Sequence, residues 1–195
     1  MSDSIKNHIQ KSFTLLAGNL SPQEARVKLD QNEFGIILDQ QHEPVALITV
    51  GELEQAENQN VPTLLDQKSE LRPTIILDSE TTVKDLAEAP AIKLLRLGAH
   101  GAVVVTRREV VGILPVETVN KILGTGKFEP SGRVMGTTRG IFDGSFGGSP
   151  TTPRAKIICG ECGFVNTVDF IDLNNLPVCQ NPAEPRHQLK FSVQE

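Results

Sequence analysis

Tryptophan and tyrosine are absent from the 195-residue chain, which has only eight phenylalanines as aromatic side chains. The apolar fraction is an ordinary 38%, so a packed core is expected, built mainly from aliphatic residues. Positive charge is also in short supply. A formal net charge of −5 argues against broad attraction to nucleic acid or to an anionic lipid surface. Residues 151–195 hold four basic residues (Arg154, Lys156, Arg186, Lys190) against five acids (Glu161, Asp169, Asp172, Glu184, Glu195), so this stretch has no basic surplus for nucleic acid either. No apolar run is long enough to cross a bilayer, and no secretory signal pattern is present. The three cysteines suit a reducing compartment better than a disulfide framework, which would leave one thiol over. A cytoplasmic protein is expected. Catalytic signatures are missing too. The four histidines are His8, His42, His100 and His187, and no nucleophile elbow or paired-carboxylate constellation accompanies them. The chain reads as a non-enzyme.

What is present concentrates near the C-terminus. Cys159, Cys162, Cys179 and His187 follow the spacing C-x2-C-x16-C-x7-H. Three thiolates and an imidazole complete a tetrahedral zinc shell, with no position left for water, so a structural ion is expected rather than a catalytic one. Gly163 follows the first pair and permits the turn of a metal knuckle. A redox C-x-x-C pair is the competing reading, but it would leave Cys179 and His187 idle. Glu184 is an alternative to His187 as fourth ligand.

Upstream lies an internal repeat. FGIILDQQHEPVALIT and HGAVVVTRREVVGILP align without gaps, with Gly35 against Gly101, an offset of 101 − 35 = 66. Each reads as strand, polar turn, strand, rich in Ile, Val and Leu as for burial on both faces. A helical segment precedes each hairpin, SPQEARVKLDQ in one copy and TTVKDLAEAPAIKLLRLG in the other, and Pro90 predicts a break in the second. Ser21 is a good N-cap with Pro22 after it. Extended stretches (SFTLLAG, RPTIILD) lead in, and short helices (GELEQAE, VETVNKIL) follow. The order is β-α-β-β-α in each copy.

These strings resemble a tandem pair of cystathionine-β-synthase-type (CBS) domains, the Bateman module, over about 11–123, with one copy at about 11–60 and the other at about 61–123. The resemblance implies sheet-to-sheet packing of the copies, assembly as at least a homodimer, and clefts for adenosine ligands such as AMP, ADP, ATP or S-adenosylmethionine. It also implies a ribose clamp of a hydroxyl and a carboxylate three residues apart. That motif falls on Thr49 and Glu52, where the family prefers Asp. In the second copy the same positions hold Pro115 and Thr118, which have lost it. His100 and Arg107 (with Arg108 beside it) are candidate phosphate partners. Thr49 with Glu52 also fits a helix capping box, and Arg107 in a hairpin turn also fits plain solvation. In the two-copy disc, Leu94 and Leu95 are expected at the helix face between protomers.

Residues 124–154 hold eight of the 16 glycines and read as a glycine-rich linker, yet Phe128, Val134, Met135, Ile141, Phe142 and Phe146 are more apolar than a plain tether needs. Residues 155–195 resemble a rubredoxin-like zinc ribbon, β-rich and decoupled from the pair by the linker. The overall class is α/β (α+β). Two functions follow. One is a regulator that senses an adenosine ligand and couples it to a protein partner through the linker and ribbon. The other is a constitutive dimeric adaptor with empty clefts whose ribbon docks a partner.

Overall fold

Local chemistry sets the element boundaries. The computed structural model describes residues 4–66, 71–124, 154–168, 175–183 and 185–190. The linker between Gly124 and Arg154 lies outside these, as does Glu184. The first repeat runs β1 (Thr14–Ala17), α1 (Pro22–Leu29), β2 (Phe34–Leu38), β3 (Pro44–Thr49) and α2 (Val50–Asn58). Ser21 closes a capping box at α1: its N–H donates to Glu24 Oε2 at 2.9 Å, and its Oγ accepts from the Glu24 N–H at 3.3 Å. The second repeat runs β4 (Thr74–Asp78), α3 (Val83–Glu88), a 3-10 stretch (Pro90–Leu97), β5 (Gly101–Thr106), β6 (Glu109–Pro115) and α4 (Val116–Leu123). Both copies therefore keep the β-α-β-β-α order in an α+β fold. The break expected at Pro90 is present. The residue before a proline disfavours the helical region, and Ala89 sits at φ −66°, ψ 125°.

In each repeat the lead-in strand pairs in parallel with the first hairpin strand: β1 with β2, and β4 with β5. The hairpins β2–β3 and β5–β6 are antiparallel. Gly101 opens the second hairpin at φ 151°, where a Cβ would lie 2.2 Å from the Leu114 carbonyl oxygen, so only glycine fits. The two sheets face each other across an apolar layer of Phe34, Ile36 and Leu47 from the first repeat and Val103 and Ile113 from the second. Thr74 stitches them as well, its Oγ1 accepting from the Leu47 N–H at 3.0 Å.

Two expectations are corrected here. Leu94 and Leu95 do not lie on a free helix face; they are buried in the second repeat's own core with Ile75, Leu77 and Leu114. The C-terminal region is also not decoupled. Its strands β7 (Arg154–Ile158) and β8 (Val165–Val168) extend the second repeat's sheet to the order β6-β5-β4-β7-β8. β7 runs antiparallel to β4, with Ile75 opposite Ala155. Ala155, Ile157 and Cys159 enter the second repeat's core, while Ile158 enters the first repeat's cluster with Leu16, Ile48 and Leu53. An exposed, hydrogen-bond-hungry strand edge at β4 explains why a short hairpin settles there. The Lys156 ammonium reaches the Glu43 carboxylate in the first repeat's hairpin turn at 3.1 Å.

Candidate functional site

Two clusters of side chains bring polar or ligating groups together. The first lies between the repeats. Thr49 ends β3 and Glu52 sits in the first turn of α2, so the carboxylate folds back on the helix start. Glu52 Oε2 accepts from the Thr49 N–H at 2.9 Å and from its hydroxyl at 3.1 Å. This is the backward half of a capping box. Oε1 faces the second repeat. It lies 3.1 Å from Arg72 Nε and 2.7 Å from His100 Nε2, the latter contact bent away from ideal ring N–H geometry. Arg72 is steadied by donating from Nη1 to the Gly98 carbonyl at 2.9 Å. Glu52 and His100 side chains are only 15% and 17% exposed, so the pair sits largely out of water. Burial pushes the Glu52 carboxyl up, but His100, the Thr49 N–H and Arg72 outweigh it and hold it below its ordinary value.

The structure thus brings together Thr49, Glu52 and His100 and adds Arg72, which sequence reasoning missed. Arg72 stands in an extended lead-in with no motif to mark it. Arg107 is not brought to the cluster. It occupies the β5–β6 turn at φ 51°, exposed, at the opposite end of β5 from His100. Six strand residues separate the two, about 20 Å at the usual rise. At the corresponding place in the second repeat, Pro115 caps α4 with no side-chain bond.

The second cluster is the cysteine–histidine group. The ligating atoms of Cys159, Cys162, Cys179 and His187 all lie within 4.8 Å of one another. A tetrahedron with zinc–sulfur bonds of about 2.3 Å has edges of about 3.8 Å. Cys162 Sγ to Cys179 Sγ is 3.5 Å, and Cys159 Sγ to His187 Nε2 is 3.4 Å, so the donor set fits a metal ion such as zinc. The first knuckle is closed by the Gly163 N–H donating to the Cys159 carbonyl at 2.7 Å and by the Cys159 N–H donating to Phe164 O at 2.9 Å; Gly163 has φ 72°. In the second, the Cys179 N–H donates to His187 O at 2.9 Å. His187 Nδ1 donates to Pro185 O at 2.8 Å, leaving Nε2 for an ion.

At Cys159 the surroundings favour the thiolate before an ion binds. Burial would raise Cys159, but backbone N–H groups of Lys190, Cys162 and Glu161, with His187, bring it down to about 6. His187 is raised to about 9 by the Pro185 carbonyl and by Cys159. A metal would replace that imidazole proton. Cys162 and His187 are half-exposed and line an open pocket of about 340 Å³ with Glu161, Pro185 and Arg186.

No helix among the described residues is long and apolar enough to cross a membrane. No protein-family model matches the chain, and no curated protein matches it. Solved structures do. A CBS domain-containing protein of unknown function from Kribbella flavida aligns at 15% identity, covering 62% of this chain and 99% of its own, with a TM-score of 0.47. A CBS domain protein from Pyrobaculum aerophilum complexed with AMP aligns at 17% identity over 63% of this chain and 99% of its own, TM-score 0.47. A CBS domain pair in complex with 5′-methylthioadenosine and S-adenosyl-L-methionine aligns at 25% identity over 64% of this chain and 98% of its own, TM-score 0.47.

Proposed function

We propose that the two repeats are a CBS pair acting as a non-enzymatic regulator. It binds an adenosine ligand around Thr49 and Glu52 and passes occupancy to a protein partner through the linker and a zinc ribbon. The observation that supports this is the convergence of a carboxylate, a guanidinium and an imidazole between the repeats. A buried ionic network is costly to desolvate, and an apolar contact would hold the repeats together as well. A ribose phosphate offers both complements: diol hydroxyls to donate to Glu52, and anionic oxygens to accept from Arg72 and His100. Because the ligand would exchange a contact that joins α2 of one repeat to residues of the other, it binds the two arrangements with different affinity. That difference is what a switch requires. Zinc at the four ligands has a structural role, and the regulator works as a homodimer.

Calorimetry on the full chain with AMP, ATP and S-adenosylmethionine tests the sensing. Glu52→Ala should weaken binding about tenfold, a loss of about 1.4 kcal/mol, while Thr118→Ala should leave it unchanged. Metal analysis should find one zinc per chain, and light scattering a dimer.

One observation favours the adaptor reading. The Glu52 carboxylate is already saturated by Thr49, Arg72 and His100. If no adenosine ligand binds at millimolar concentration, that internal bridge is a permanent clamp, and the pair is a platform for the ribbon.

A further inference from the structure

Among the described residues, Asn166 is the one buried amide at the cysteine–histidine cluster. It lies on β8 and is 1% exposed. Its side chain meets four groups at once. The amide nitrogen donates to Phe164 O at 2.9 Å and lies 3.4 Å from Ile157 O on β7 and 3.6 Å from Cys179 Sγ. Its Oδ1 accepts from the Gln180 N–H at 2.7 Å. The surroundings fix which end is which: turned over, the amide oxygen would face two carbonyls and a sulfur, and the nitrogen would face an N–H. Gln180 answers in kind, its amide donating to Thr167 O at 2.9 Å and accepting from the Thr167 N–H at 3.0 Å. The two amides thus lace the second knuckle to β8, but only Asn166 also reaches a sulfur and the strand β7.

We propose that Asn166 is a positioning residue of the metal centre. Its N–H steadies the Cys179 sulfur while its other bonds brace both knuckles against the shared sheet. This rests on the metal reading above. Metal sites draw affinity from bonds of this kind to their ligands, and losing one weakens binding about 10–100-fold.

Asn166→Asp separates the roles, because it keeps the acceptor for Gln180 and removes every donor. The full chain is stripped by chelation and titrated with Zn(II) against a chromophoric chelator, then with Co(II) for its thiolate-to-cobalt charge-transfer band. Wild type should bind one ion. Asn166→Asp should bind zinc 10–100-fold more weakly and move the cobalt band to lower energy, because a sulfur without its N–H donor is easier to oxidise. Asn166→Ala, which adds no charge, should show the same band shift. Gln180→Ala, which unlaces the knuckle without touching sulfur, should leave the band in place. Wild-type affinity and an unmoved band in Asn166→Asp would overturn the inference, as would an equal band shift in Gln180→Ala. If wild type binds neither metal, the metal reading itself falls and this inference falls with it.

Discussion

The two repeats share one chain order but have diverged at two matching places. At the start of the last helix, the first repeat carries Thr49 and Glu52 where the second carries Pro115 and Thr118 (49 + 66 = 115; 52 + 66 = 118). At the lead-in strand, β1 ends its sheet among the described residues, whereas β4 is covered by β7 and β8. The first repeat keeps the charged group that reaches across to its neighbour. The second supplies the edge on which the hairpin bearing Cys159 grows. The lesson is a division of labour: a polar contact across the repeats from one copy, structural extension in the other, with the apolar layer between sheets common to both.

The largest effect should come from breaking the extension. If β7 is an interior strand of the second repeat's sheet, stripping the metal must loosen more than a ribbon. Ile157 and Ile158 feed both cores, so losing β7 reaches both repeats. Structural zinc carries roughly 10–16 kcal/mol of binding energy in isolated modules, comparable with the whole stability of a domain. Calorimetry should show one cooperative transition for the full chain, lowered by roughly 10 °C or more on chelation, at about 2–4 °C per kcal/mol for a chain of this size. Cys162→Ser should do the same. Two transitions, with the upper one indifferent to chelator, would restore an independent ribbon.

The next effect tests the polar divergence. Glu52→Ala leaves Arg72 and His100 facing each other without their carboxylate. Breaking a buried pair costs about 3–5 kcal/mol, and because the Arg72 side chain is 34% exposed a value of about 2 kcal/mol is expected. Thr118→Ala, at the matching position, should stay within about 0.5 kcal/mol. Urea denaturation of both variants gives the comparison, and equal losses would erase it.

The same carboxylate should report on pH. Its pKa is depressed in the folded chain from an ordinary 4.5. Its contribution is therefore fully present above that ordinary value and is lost as pH falls through the lower folded value. The stability difference between wild type and Glu52→Gln should shrink as pH falls below about 5. Taking the difference cancels the protonation of the metal ligands, which both proteins share. A difference that grows as pH falls below about 5 would contradict the bridge.

Much of this was legible because it is local. The Ser21 cap and the break at Pro90 are each written within a few residues, and the 66-residue offset and the cysteine–histidine spacing show on lining up the string itself. The β4–β7 pairing was not, because AKII reads the same whether it joins a free ribbon or closes over a sheet edge some 80 residues earlier. Leu94 and Leu95 misled because an apolar helical stripe does not say which partner covers it. Asn166 left a trace that could have been followed. Phe164, Asn166 and Val168 share one face by strand alternation, and a polar residue on an apolar face calls for a bonding partner. Arg72 left none.

The smallest effect sharpens how the extension meets the first repeat. Lys156 on β7 and Glu43 in the β2–β3 turn are 113 residues apart in sequence and 3.1 Å apart in space. Lys156 is only 15% exposed, its stem lying against the protein while Glu43, at 35%, keeps partial access to water. Exposed ion pairs contribute about 0–1 kcal/mol; this one, half sheltered, should reach the upper part of that range. A double-mutant cycle with Lys156→Met and Glu43→Gln isolates the coupling from the lost packing of the lysine stem. The coupling should be about 0.5–1 kcal/mol and should vanish when the metal is removed, because β7 then no longer holds the ammonium in place. A coupling that survives chelation would mean that β7 keeps its register on β4 without the ion, leaving the metal to order only the knuckles beyond it.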